Sequence, residues 1–229
     1  MTHRRILAGL GMGMFLVLSL SAFAAGEAPK PILWDAATDT PAVFLARVEK
    51  AGAGLEPAKR LVATGGEAVI MAAASASALG GNAAAEWGPK LYGKGTDGQK
   101  GFDIVGELIA GKYTRIIDLA VALGTMEREQ KHTIQWHNIA ASLEKAAGTD
   151  AARAGWRNAA TGLRMLALWR SARGPAGRQE QLDAFAAAPL AVKQGIADAI
   201  ATSQNKYAVR AKRKYYVVLS EGFGRGYQH

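Results

Sequence analysis

The chain has no cysteine among its 229 residues. This excludes disulfides, thiolate metal centres, a cysteine-linked lipid anchor and covalent haem attachment. Aromatic residues make up only 7% and histidines number four. Two of those, His3 and His229, lie at the ends of the chain, leaving His132 and His137 as the interior imidazoles. There is no G-x-S-x-G elbow, no H-E-x-x-H zinc pattern and no repeat at a solenoid period. Alternating apolar and polar strands are also scarce. Tyr215–Leu219 favours strand by propensity, but no second convincing strand exists to pair with it.

The N-terminus carries an export pattern. Arg4 and Arg5 form a short basic region, Ile6 to Leu20 is an uncharged apolar run, and Ala22-Phe23-Ala24 supplies small residues for cleavage. These are the parts of a secretory signal peptide, and the apolar run is shorter than the ~20 residues of a spanning helix. Cleavage is expected after Ala24, leaving 205 residues, enough for one well-buried core or two small ones. The expected organisation is a signal peptide over 1–24, an extended lead-in over 25–38, a helical domain over 39–206 and a basic, aromatic tail over 207–229. The pattern predicts a location in the periplasm or outside the cell, and its form suggests a bacterium.

Charge is unevenly distributed. The net charge is +9, or +7 without the two signal-peptide arginines. Residues 25–100 hold eight basic and eight acidic side chains, 101–150 hold five and seven, and 151–229 hold thirteen and four. The excess is therefore C-terminal. Such a pole suits anionic partners: an acidic protein, or an anionic membrane or glycolipid surface. No nucleic-acid-binding motif accompanies it, so nucleic acid is not an expected partner.

Helical signals dominate the remainder. Asp39-Thr40-Pro41 reads as a helix start running to about Lys50. Residues 57–79 are almost wholly small and apolar. Gly65-Gly66 predicts a kink there, and Glu67 argues for a buried helix over a membrane span. Residues 80–101 read as a glycine-rich surface loop. Gly93, Gly95 and Gly98 fit G-x-G-x-x-G, but no strand precedes them, and Gln99 stands where a P-loop needs lysine.

Phe102 to about Ala147 shows a strong 3.6-residue period, with a division expected at Gly124-Thr125. Glu107 and Asp118 fall on its polar side, roughly 16 Å apart along a continuous helix. The next helix, about Ala151 to Ala172, places Arg153, Arg157 and Arg164 within ~40° of one another, with Trp156 and Leu163 on another arc. Gly174 to Gly177 reads as a loop, followed by helices over about Gln179–Ala187 and Pro189–Ser203. The fold class is all-α, an irregular bundle of about six helices.

Three functional readings follow. The first is a non-enzymatic binding or assembly component of the cell envelope. Its anion-contacting candidates are Arg153, Arg157, Arg164 and the cluster Arg210, Lys212, Arg213 and Lys214, flanked by Tyr207, Tyr215 and Tyr216. The second is a metal-dependent helical-bundle enzyme centred on Glu129 and His132, an E-x-x-H pair one helical turn apart. Carboxylate-bridged di-metal bundles need that element twice, and this chain holds it once. His137 lies ~140° around the helix from His132, too far to share a metal. The third is a membrane-active toxin or pore former using residues 57–79. No cofactor is expected under the first reading.

Overall fold

The computed structural model describes residues 30–119, 121–123, 135–171 and 174–202. The expected signal peptide, Glu129, His132 and the tail from 207 onward lie outside the described residues. All regular structure among the described residues is helical, with no strand. The α-helices are α1 (Pro41–Gly52), α2 (Pro57–Leu79), α3 (Ala83–Tyr92), α4 (Asp97–Ile109), α5 (Trp136–Ala147), α6 (Ala154–Ser171), α7 (Gly174–Ala187) and α8 (Leu190–Thr202). A 3₁₀ turn at Ala151–Arg153 leads into α6, and residues 116–119 and 121–123 are also helical.

Helix α2 is the centre of the bundle, packed against α1, α3, α4 and α5. Every residue from Ala68 to Ala76 is buried. A helix apolar on all sides belongs inside a protein or a membrane, and here the protein surrounds it. Its run of alanine and serine lets the neighbouring helices approach closely. Helix α6 forms a second hub, against α5, α4, α7 and α8. Trp156, Leu163 and Leu166 are among its buried members.

The glycine pair in α2 makes a sharp break. Gly65 adopts φ 79° and ψ 165°, a region essentially reserved for glycine. The break frees the Thr64 carbonyl, which accepts the Ile32 N–H at 3.0 Å. Pro31 lies directly over Gly65, 3.1 Å from where a Cβ would stand.

Residues 30–38 of the lead-in are thus a docked strap. Trp34 packs against Phe44 of α1 and Trp156 of α6, with ring centroids 5.3 and 6.3 Å away. A hydrogen-bonded turn follows, in which the Asp35 carboxylate accepts from Ala37 N–H and the Thr38 hydroxyl at 2.9 Å each. These donors hold the Asp35 carboxyl below the usual carboxylate range. The Asp39 carboxylate is turned fully inward, accepting from Asp35 N–H and pairing with Arg47. Thr40 then caps α1, its hydroxyl accepting from Val43 N–H at 3.3 Å.

Three sequence expectations need correction. First, residues 80–101 are not a loop, since they hold all of α3 and the start of α4. Ala83, Ala84 and Ala85 are strong helix formers, and Gly88 is a close-approach position, with the Phe102 ring 3.0 Å from where its Cβ would lie. Second, Gly174–Gly177 opens α7 and does not precede it. Proline is well tolerated in a first helical turn, where its missing N–H costs no bond.

Third, the periodic run from Phe102 breaks well before Gly124. Helix α4 ends at Ile109, Gly111 turns at φ 79°, and Lys112 N–H returns to the Glu107 carbonyl at 2.8 Å. The following segment starts in a new direction, and Tyr113 is buried at the corner.

Candidate functional site

The three helical arginines converge on the C-terminal end of α5. The Arg153 guanidinium donates to the Ala146 carbonyl at 2.8 Å, lies 3.6 Å from the Asp150 carboxylate and sits 5.2 Å above the Trp156 ring. Arg157 donates to the carbonyls of Gly148 and Asp150, both at 2.9 Å. Arg164 forms a two-pronged pair with Glu144. The last carbonyls of a helix lack intrahelical donors and carry its negative dipole end. Arg153 and Arg157 therefore bond carbonyls at and just after the end of α5, and Arg164 ties Glu144 of α5 to α6.

This assembly explains the arginine stripe without any ligand. The ~40° grouping was legible from helical geometry, but the target of the stripe was not, because it lies on the preceding helix. An anion bound here would have to compete with the contacts just described.

The candidate metal pair Glu129 and His132 lies outside the described residues. Among the described residues, no group of three or more histidine, aspartate or glutamate side chains is placed to hold a metal. His137 is exposed on the first turn of α5. Burial raises the Tyr92 phenol, and raises Tyr113 to about 12, so neither supplies a phenolate at neutral pH.

The turn after α4 does bring one set of charges together. Arg115 lies 3.2 Å from the Glu107 carboxylate and 3.7 Å from that of Asp118. The two acids expected far apart along one helix thus share an arginine. Nearby Asp103 has its carboxyl raised by burial, with Arg115 lowering it and Glu107 raising it further. These side chains are substantially solvent-exposed, and the arrangement is a surface ion-pair network.

Glu67 is the other notable carboxylate. It sits at the α2–α5 interface, where Ser142 Oγ donates to it at 3.1 Å. Burial raises its carboxyl above the usual range, and the serine bond partly offsets this.

The G-x-G-x-x-G stretch forms the corner between α3 and α4. Gly93 takes φ 79°, and a Cβ there would come within 2.6 Å of Pro57. Gly95 takes φ 78°, and its N–H is occupied by Gln99 Oε1 at 2.7 Å. Gly98 lets the first turn of α4 sit against Leu61 and Tyr92, each 3.0 Å from where a Cβ would stand. A helix precedes the motif, so the strand–turn–helix context of dinucleotide binding is absent.

Comparison with protein-family models, with characterised proteins and with solved structures gives no match to this chain. The functional reading rests on this chain's own chemistry.

Proposed function

We propose that the protein is an exported, non-enzymatic binding or assembly component of a bacterial cell envelope. In this reading, its basic C-terminal region contacts an acidic protein or an anionic membrane surface. The observation that carries it is where the surplus positive charge is concentrated. Arg153, Arg157 and Arg164 are engaged with α5, whereas residues 203–229, which follow α8 in the chain, hold six basic side chains and one acidic one. Tyr207, Tyr215 and Tyr216 flank the cluster, adding apolar contact to the charge. The basic, apolar and small-residue order of residues 1–24 supports export.

The test is reversal of Arg210, Lys212, Arg213 and Lys214 to glutamate in the chain processed after Ala24. Binding is measured to vesicles containing phosphatidylglycerol and to proteins of a solubilised envelope fraction, across a salt series. The proposal expects salt-sensitive binding to one of these and its loss on reversal. Unchanged binding after reversal, or no binding to either, would refute it.

A further inference from the structure

Few bonds tie the front of the strap to the body beneath it, and the turn behind it is held by bonds of its own. Within residues 35–39, the Asp35 carbonyl accepts from Thr38 N–H at 3.2 Å and from Asp39 N–H at 2.8 Å. The Asp39 carboxylate accepts from Asp35 N–H at 2.8 Å, and the Asp35 carboxylate closes the same turn. None of these bonds involves α2 or α6. Residues 30–34 are held by other means. Ile32 N–H bonds the Thr64 carbonyl, Arg47 makes a long bond of 3.4 Å to the Leu33 carbonyl, and the Trp34 ring is packed.

That ring joins parts of the bundle that pack separately. Helix α1 lies on α2 and α3, while α6 lies on α5, α4, α7 and α8. Trp34 stands between the two groups, tilted at 50° to Phe44 of α1 and edge-on, at 81°, to Trp156 of α6. The α6 side of the contact is fixed in place, because Arg153 sits over Trp156 and bonds the Ala146 carbonyl of α5. On the other side, Phe44, Leu45 and Val48 give α1 a buried face whether or not the strap is present.

Docking also carries a cost. The Trp34 indole N–H is buried with no hydrogen-bond partner among the described residues, and so is Oδ1 of Asp39 in the turn. A buried donor left unpaired gives up the bond it would make to water. Aromatic contact therefore draws the strap in, while the unpaired indole N–H opposes it. A segment with few bonds to its neighbours and a pre-formed turn at its base is one that opens ahead of the core.

We infer that residues 30–34 are a clasp that opens and closes as a unit about the 35–39 turn, without unfolding of the bundle, and that its closure fastens α1 to α6. Closed, the clasp covers Gly65 and occupies the Thr64 carbonyl. Open, it uncovers both and returns the Trp34 N–H to water.

The first test is native-state hydrogen exchange, at residue resolution, on the chain processed after Ala24 and in low concentrations of urea. The expected result is an Ile32 N–H at least about a hundredfold less protected than the amides of residues 69–73, with a rate that hardly changes as urea is added. Equal protection with equal urea dependence overturns the inference, because the strap then opens only on global unfolding. An Ile32 N–H with no protection also overturns it, because the clasp then never closes.

The second test uses the absence of cysteine, which lets spin labels be placed at will. Ala46→Cys on α1 and Ala154→Cys on α6 are both at exposed positions. In a Trp34→Ala background, the distance distribution between the labels should broaden and lengthen, while circular dichroism remains helical. If Trp34→Ala does not fold, Pro31→Gly, at an exposed position over Gly65, carries the same measurement. An unchanged distribution in a folded variant whose Ile32 N–H has lost protection overturns the fastening of α1 to α6.

Discussion

Replacing Gly65 with alanine separates two accounts of α2 by the sign of the effect. If α2 were a regular helix at this point, Gly65→Ala would stabilise it by up to ~1 kcal/mol, the ordinary difference in helix propensity. The observed backbone predicts the opposite. An alanine held at φ 79° and ψ 165° costs on the order of 1–3 kcal/mol. Its Cβ would also meet Pro31 at 3.1 Å, so the strap must shift. If the backbone relaxes to regular helix instead, the Ile32–Thr64 hydrogen bond is lost, at about 1 kcal/mol. Holding the native backbone therefore costs about 1–3 kcal/mol, and relaxing to regular helix gives up the bond and the strap contacts in exchange for at most ~1 kcal/mol of propensity.

Urea unfolding, followed by circular dichroism, reads this directly. With a slope of ~2 kcal/mol per molar, the midpoint falls by about 0.5–1.5 M. Gly106→Ala is the internal control. It lies within α4, and a Cβ added there would have Ser77 Oγ as its nearest neighbour, 4.0 Å away. That substitution should stabilise by about 0.5–1 kcal/mol. A Gly65→Ala protein as stable as the parent, or more so, would refute the broken helix and with it the docking of the strap.

Two further outcomes follow from the packing and the electrostatics. Gly195→Ala places a Cβ 2.5 Å from Tyr113 Cδ2 and 2.9 Å from its Cβ, so it should destabilise by about 1–3 kcal/mol, read as a lower midpoint in a thermal melt. Glu67→Gln should stabilise the protein at neutral pH. Because the folded-state carboxyl is raised above its unfolded value, Glu67's favourable contribution is complete below the unfolded pKa and is lost as pH rises through the folded one. The glutamine variant should therefore lack that loss across the range just above ordinary carboxylate titration, as urea titrations at a series of pH values would show.

The all-α class was legible because the apolar period of long segments repeats many times. The starts of α1 and α8 were legible from a Thr40 cap and from Pro189. What misled was glycine and proline, whose local meaning has two sides. Gly88, Gly93, Gly95 and Gly98 look like punctuation along the chain. In the fold, Gly88 and Gly98 are contact points between helices, and Gly93 and Gly95 turn a tight corner between two of them. Conversely, Gly111 ends a helix inside a run whose apolar period continues beyond it, because the next segment also needs a buried face. The arginine stripe shows a related limit. Helical geometry places Arg153, Arg157 and Arg164 together, but their acceptors are largely backbone carbonyls, and every residue has one. Nothing in the side-chain pattern marks the carbonyls of Ala146, Gly148 and Asp150 as the ones these guanidinium groups reach.

The composition of α2 has a consequence for how such a chain could cross a membrane at all. On the export proposed above, through a channel that takes an unfolded chain, each apolar segment is tested against the bilayer before any partner helix is there to cover it. At 23 residues, with a mean hydropathy of 1.4 over its most apolar window, α2 has the length to be halted in transit. Leucine, isoleucine, phenylalanine and valine each favour insertion by about 0.3–0.6 kcal/mol, whereas a charge at the centre opposes it by about 2.5–3.5 kcal/mol. Building the middle of α2 from alanine and serine, with Glu67 on the way in, gives a helix apolar enough to be covered on every side after folding and too weakly apolar to stop before it. Leucine in place of Ala72, Ala73 and Ala74 would therefore carry two separate penalties: overpacking in the finished bundle and arrest on the way to it.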